Sequence, residues 1–480
     1  MNETKHSVKR SIGLQTLYQI ISISLPLLTT PYLSRVLGAE NLGVFSYTSS
    51  IVAYFSLFAM LGTINYGTRS IALVSKNRNE RSKIFFEVFS LQFLTSLIAI
   101  IAYCWYLVSF CTENQLVALL QMITLVSCLT DISWFYFGIE NFKPTILCSM
   151  IFRIISVGLI FVFVREHNDL WKYTALVLSG TLLSTLSLWI FVPRYISLQR
   201  ISIKSIFLHF KPNIILFIPL VAMSVYHTMD KTMLGLLSNF EQSGFYYNAD
   251  KLINIPISIL NGIGTVMLPR MSMLYSKENH EEANNVFLFS MEMITILGIA
   301  MAFGIAAISP EFVPLFFGID FTECIELTVV LAPTLIIKGI SNTCRTQYLV
   351  PLKKEKVFTK SVIGGAVVNL FLNILLIPRY GAMGAVVATL FAELVSWVYQ
   401  ILFVRKHIIL KSYFLSSILY VLAGIVMCLL IRFCAGYLVL PLILKVVIEI
   451  CIGVVCYIIL CLIIWKITGN LFIKSFMNLV

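Results

Sequence analysis

Apolar stretches long enough to cross a membrane recur along the whole chain, and they constrain its fold more than any other feature. Of the 480 residues, 59% are hydrophobic and 12% are charged, which excludes a water-soluble fold of ordinary composition. A helix needs about 20 apolar residues to span a bilayer. The sequence therefore predicts an all-α polytopic membrane protein of about 14 transmembrane helices. The predicted spans cover residues 11–36, 42–64, 84–108, 116–138, 145–165, 171–192, 212–237, 251–269, 286–308, 324–343, 357–377, 381–404, 412–432 and 441–465.

The basic residues indicate how these helices are oriented. The net charge is +12, but Lys and Arg lie in short gaps between apolar runs, so nucleic acid is not an expected partner. With the N-terminus inside, 25 of the 35 basic residues fall in cytoplasmic segments, as the positive-inside rule requires. A missed helix would invert every later loop and destroy this bias. The bias of basic residues therefore predicts an even number of spans, with both termini in the cytoplasm. It also predicts a basic cytoplasmic face that is attracted to the headgroups of the lipid bilayer.

A weak internal repeat divides the chain into lobes. Residues 35–47 and 231–247 each place a cation before a Leu-Gly pair, then a short hairpin, then a Gly followed by aromatic residues. Six spans separate the two copies, and an even number makes the repeat parallel rather than inverted. We predict two six-helix lobes, residues 1–205 and 206–408, followed by two additional helices in residues 409–480.

Basic side chains inside the hydrocarbon layer are expensive, so each is a candidate for function. Arg153, Lys231 and Lys338 lie within predicted spans, and Arg35 lies at a span end. At 1.5 Å per residue, Arg153 is about 12 Å into its span, near the membrane midplane. Arg153 could bind an anionic substrate group in a cavity or form a structural ion pair between helices. Lys338 has the same alternatives, or its long side chain could reach the cytoplasmic interface.

Asp131 is a candidate sugar-binding residue together with Trp134. Trp134 and Phe135 follow Asp131 by three and four residues, which would place an acid and two aromatic rings on one face of a helix. A carboxylate can accept hydrogen bonds from sugar hydroxyls, and sugars stack on aromatic rings. The alternative is an aromatic belt at the membrane interface beside a solvated acid.

Three acidic residues in the spans are candidates for coupling transport to the movement of an ion. Glu393, Glu292 and Asp230 could bind a proton or sodium, although pairing with Arg153 or Lys338 would equally keep a carboxylate charged. Asp230 and its neighbour Lys231 could also form a salt bridge at the rim. Glu449, in the last predicted span, is assigned a structural role.

Motifs of enzymes and metal sites are absent from the sequence. It contains no GxxxxGK[ST] phosphate loop, no HExxH and no GxSxG. The 11 cysteines include no CxxC pair and lie mostly in apolar runs, so we expect no metal or disulfide framework. These observations predict a protein that is not an enzyme and has no cofactor.

Residues 31–47, 64–72, 131–143 and 229–252 together resemble the oligosaccharide flippases of the polysaccharide-transporter (Wzx-type) family. This family belongs to the multidrug/oligosaccharidyl-lipid/polysaccharide exporter superfamily. The resemblance covers nearly the whole chain. It implies a bacterial inner-membrane protein that moves undecaprenyl-diphosphate-linked oligosaccharide to the periplasmic leaflet by alternating access, for O-antigen, capsule or a related polysaccharide.

The resemblance also implies two lobes around a central cavity lined by cations, and it favours Arg35, Arg153, Lys231 and Lys338 in that role. The two additional helices could flank a groove for the lipid tail. A polysaccharide polymerase and a chain-length regulator are candidate protein partners. Two alternatives stay open: an ion-coupled drug or lipid II exporter of the same superfamily, and a membrane polysaccharide polymerase or ligase.

Overall fold

A computed structural model describes residues 2–468, except for the side chains of residues 2–18, 20, 23, 219, 222, 412 and 468. This part of the chain is helical and contains no β-strand. Its α-helices, in chain order, are α1 Asn2–Met60, α2 Thr63–Leu73, α3 Arg78–Ser109, α4 Gln115–Thr130, α5 Ser133–Gly138, α6 Lys143–Phe163, α7 Leu170–Leu188, α8 Ile203–Leu208, α9 Phe210–Leu237, α10 Phe240–Ser276, α11 His280–Phe317, α12 Glu323–Leu331, α13 Pro333–Cys344, α14 Glu355–Val404, α15 Lys411–Tyr437 and α16 Leu442–Thr468.

The long apolar runs form helices of membrane-spanning length, which confirms the all-α polytopic fold. Among the described residues, 11 helical runs are long and apolar enough to cross a membrane, and a bent pair, Ile203–Ile218 with Met223–Leu237, would make 12. The run Glu355–Val404 contains two predicted spans, and the run Ser24–Leu73 contains the predicted span 42–64 and the last part of the span 11–36. The count of fourteen and the cytoplasmic placement of the termini stay predictions.

Glycines allow the backbone to leave the helical conformation where two of these predicted spans meet. Gly38 interrupts α1 with φ 76°, and Gly381 interrupts α14 with φ 54°. Residues with a Cβ rarely adopt positive φ, whereas glycine does so without steric cost. At the first of these junctions, where the sequence analysis predicts a short hairpin, Gly38 is the residue whose backbone is not helical.

The two glycines that the sequence repeat aligns have different structural roles. Gly38 is needed for its backbone conformation, but Gly235 lies inside α9, where a Cβ would overlap the ring of Tyr47. Close approach of this kind is how helices associate in a membrane, where packing rather than burial from water drives contact. The repeat is therefore a similarity of pattern at these positions, with no shared local geometry.

The chain forms two compact units, residues 1–235 and 236–480. In the first unit, Phe85, Trp134 and Phe135 form the centre of an aromatic core. In the second, α15 and α16 pack against α11 around the buried residues Ile299 and Tyr420. This division groups α9 with the first unit, whereas the sequence analysis assigns α9 to the second lobe. The organisation into residues 1–205, 206–408 and 409–480 stays a prediction.

Candidate functional site

Arg153 lies on α6 with an exposed side chain, in the middle of a helix that runs from Lys143 to Phe163. Its Nη1 donates a hydrogen bond of 2.9 Å to Oγ of Ser22 on α1. A guanidinium has five N–H donors, so one contact with a neutral hydroxyl leaves donors for a further acceptor. The structure thus places Arg153 where an anionic group could be bound by a charge-assisted hydrogen bond.

Three further candidates of the first unit lie on α1 and α9. Arg35 is exposed, and its Nη1 donates to the carbonyl oxygen of Pro31 at 2.9 Å. Asp230 is buried, whereas the adjacent Lys231 is half-buried. Consecutive helical residues point about 100° apart, so these two side chains have different surroundings. Their predicted roles are compatible with these positions but are not tested by them.

The helical face predicted for Asp131 and Trp134 is wrong. Helix α4 ends at Thr130 and α5 begins at Ser133, so Asp131 lies in the break, where its Oδ1 accepts a hydrogen bond of 2.8 Å from the Ser133 amide. Short acidic side chains favour such breaks because they compete for backbone donors.

Trp134 is a core residue in this structure. Its side chain is 0% exposed, and its Nε1 donates a hydrogen bond of 2.8 Å to Oε1 of Gln92. Its ring stacks on Phe85 with 5.5 Å between centroids. A sugar could contact Trp134 only if this aromatic core opened. The predicted sugar contact therefore has no support at Trp134 in this conformation.

The second unit brings two predicted site residues together. Lys338 on α13 and Glu393 on α14 form an ion pair with 3.6 Å between Nζ and Oε1, and their side chains are only 18% and 8% exposed. A buried charge needs a partner of opposite sign. The structure thus favours the pairing alternative for Glu393, while ion coupling at this residue stays a prediction.

Glu292 connects α11 to the two additional helices. Its Oε1 accepts a hydrogen bond of 2.7 Å from the Tyr420 hydroxyl on α15. The same hydroxyl oxygen accepts a bond of 3.0 Å from Nε1 of Trp465 on α16. A carboxylate held in this way fixes the packing of three helices, and its predicted role in ion coupling is not tested.

A cavity of about 390 Å³ lies among α11, α15 and α16. Apolar side chains such as Ile296, Ile305, Met427 and Ile458 provide most of its lining. The cavity lies beside the two additional helices, where the family resemblance suggests a groove for a lipid tail.

A buried polar cluster in the first unit was missed in the sequence analysis. Glu87 on α3 is 4% exposed, and its Oε2 lies 3.0 Å from Nε2 of His209. The Tyr66 hydroxyl lies 2.6 Å from Nδ1 of the same imidazole. Glu87 lies within the predicted span 84–108, so the criterion applied to the other intramembrane acids would have found it. The cluster ties α2 and α3 to the segment that precedes α9.

Comparisons of the sequence with known proteins identify the family. The family model described as "Polysaccharide biosynthesis protein" matches residues 8–275. The chain is 25% identical over 420 residues to the "Putative O-antigen transporter" of Escherichia coli (strain K12), covering 85% of this chain and 99% of that protein. It is 24% identical over 209 residues to "Lipid II flippase MurJ" of Bacillus subtilis (strain 168), covering 42% of this chain and 37% of that protein.

Solved structures show the same fold. The structure described as "Lipid II flippase MurJ, inward closed conformation" aligns with a TM-score of 0.76 at 16% identity, covering 96% of this chain and 100% of that one. An inward-facing multidrug resistance transporter of the MATE family aligns with a TM-score of 0.59 at 12% identity, covering 81% of this chain and 97% of that one. Because the family model matches more than half of its residues, this multi-pass membrane protein belongs to the polysaccharide biosynthesis protein family.

Proposed function

We propose that this protein is a flippase that moves undecaprenyl-diphosphate-linked oligosaccharide repeat units across the bacterial inner membrane for the synthesis of a surface polysaccharide. The observation that carries the proposal is the similarity to an O-antigen transporter over 85% of this chain and 99% of the relative. A similarity of this extent covers almost the whole length of that relative. The protein acts by alternating access and catalyses no chemical step.

The cations in the spans are suited to the diphosphate of such a substrate. A diphosphate that leaves the headgroup layer must be met by positive charge in a hydrated cavity. Arg153 supports this role because its guanidinium is exposed at mid-span depth. Lys338, Arg35 and Lys231 are proposed as further contacts, with Lys338 held in place by Glu393.

Binding places can also be proposed for the lipid tail of the substrate and for the ion that drives transport. The apolar cavity among α11, α15 and α16 supports a binding place for part of the polyisoprenyl chain, since its lining has almost no polar surface. Coupling to a proton or to sodium is proposed at Glu393, Glu292 or Asp230. A polysaccharide polymerase and a chain-length regulator are the proposed protein partners, since they use the translocated unit.

A second candidate function is export of lipid II. It is favoured by the 24% identity with the Bacillus subtilis lipid II flippase over 209 residues. The two substrates share a diphosphate and a polyisoprenyl tail, so the same cations would serve either of them.

Deletion of the gene in its native host separates the two candidates. We expect the deletion strain to lose surface polysaccharide and to keep its cell wall, with both phenotypes checked against a strain that carries a plasmid copy. If growth slows because the lipid carrier is sequestered, removal of the first glycosyltransferase of the polysaccharide should restore it. Lysis with intact polysaccharide synthesis would contradict the proposal and favour lipid II export.

A further inference from the structure

We propose that Glu449 is a proton-binding site in the cavity among α11, α15 and α16. This inference goes beyond the transport function and does not rest on it. Glu449 lies on α16, lines the cavity and is 0% exposed. Neither oxygen of its carboxyl group has a hydrogen-bond partner among the described residues.

The cations near Glu449 are already bound by another acid. Arg432 on α15 pairs with Oε2 of Glu311 on α11, and Lys445 lies with its Nζ 3.1 Å from Oε1 of the same carboxylate. Arg432 also donates to the carbonyl oxygen of Ala307 at 3.0 Å. Two cations thus serve two neighbouring acids, Glu311 and Glu449, and both cations are bound to Glu311.

The remaining surroundings of Glu449 disfavour a negative charge. Met427 and Ile431 from α15 and Ile308 from α11 line the same cavity, and the ionisable side chains Tyr457 and Cys461 lie farther along α16. An ionised carboxylate that is buried without a partner costs many kcal/mol, and a proton removes that cost. The carboxyl group of Glu449 is therefore neutral while Glu311 holds Arg432 and Lys445.

Release of the proton would change a contact between helices. When the O–H bond breaks, the electron pair stays on the carboxylate oxygen and the proton passes to water. Lys445 precedes Glu449 by four residues, so the two side chains share a face of α16 and can pair. Lys445 then leaves Glu311, and the link that it makes between α16 and α11 is lost. The protonation state of Glu449 thus controls how the last helix is held.

Labelling with dicyclohexylcarbodiimide tests the proposal, because this apolar reagent attaches to protonated carboxyl groups in apolar surroundings. The full-length protein in detergent is treated across a series of pH values, and the adducts are mapped by peptide mass spectrometry. We expect an adduct on Glu449 that declines as the pH rises, and little adduct on Glu311, whose carboxylate is paired with two cations. Glu449→Gln should remove the adduct from this peptide.

Glu311→Gln provides a sharper test of the shared cations. This substitution frees Lys445 to stabilise the carboxylate of Glu449, so labelling of Glu449 should fall at a given pH. Size-exclusion chromatography checks that the variant is folded, and the pH series of the unaltered protein is decisive if it is not. Absence of a Glu449 adduct at every pH, labelling that does not change with pH, or equal labelling of Glu311 would overturn the proposal.

Discussion

A single substitution in the ion pair of Lys338 with Glu393 leaves one buried charge without its partner. At 3.6 Å between Nζ and Oε1, the Coulomb energy is about 4.6 kcal/mol for an effective dielectric constant of about 20. Loss of one partner of a buried pair typically costs about 3–5 kcal/mol. Because the two side chains are only 18% and 8% exposed, we expect Lys338→Met and Glu393→Gln each to destabilise the protein by about this amount.

Thermal unfolding in detergent, followed by tryptophan fluorescence, measures this effect. The double variant with Lys338→Met and Glu393→Gln leaves no unpaired charge, so it should be more stable than either single variant. Lys172→Met is a matched control, because Lys172 pairs with Asp169 at 2.6 Å but is itself 37% exposed. The buried carboxylate of Asp169 keeps hydrogen bonds from the amides of Arg165 and Glu166 when Lys172 is replaced. We expect its melting temperature to be close to that of the unaltered protein.

The double variant also separates stability from a role in transport. If Lys338 binds the substrate, surface polysaccharide stays reduced in the double variant although its stability is restored. The reasoning about the pair is refuted if the single variants melt like the unaltered protein. It is equally refuted if the losses of the two single variants simply add in the double variant.

Two further predictions concern the first unit. Arg153→Ala should abolish surface polysaccharide while the protein stays in the membrane, and Arg153→Lys should retain part of the polysaccharide. Normal polysaccharide in the strain with Arg153→Ala would rule out a substrate-binding cation at this position. Gly67→Ala places a Cβ 2.5 Å from the ring of Trp134 and should cost about 1–3 kcal/mol, whereas a Cβ at Gly158 meets nothing within 4 Å. Thermal unfolding compares the two variants, and equal melting temperatures would contradict the packing argument.

Most of the fold could be predicted from the sequence because a bilayer restricts a chain to few solutions. Backbone groups in hydrocarbon must bond within their own helix, so long apolar runs predict helices reliably. The break at Asp131 was missed, because apolar content does not register an acidic side chain that bonds the amide of Ser133 and ends a helix. The non-helical backbone at Gly38 and Gly381 depends on φ values that composition does not reveal.

The candidate site was predicted only as a set of residues. Depth along a span identified Lys338 and Glu393 separately, but their pairing depends on how α13 packs against α14. Burial of Trp134 depends likewise on contacts with residues distant in the sequence, such as Gln92. The sequence predicts only a structural role for Glu449, because it cannot show that Glu311 pairs with the neighbouring cations Arg432 and Lys445.

The sidedness of lipid-linked repeat units in cells depleted of this protein tests the central proposal most directly. Membrane vesicles of known orientation are prepared before and after depletion, and an impermeant glycan-modifying enzyme reports which leaflet holds the oligosaccharide. A flippase predicts that the repeat units accumulate in the cytoplasmic leaflet, and that a plasmid copy of the gene returns them to the opposite leaflet. Repeat units that reach the periplasmic leaflet equally well without the protein would contradict the proposed function.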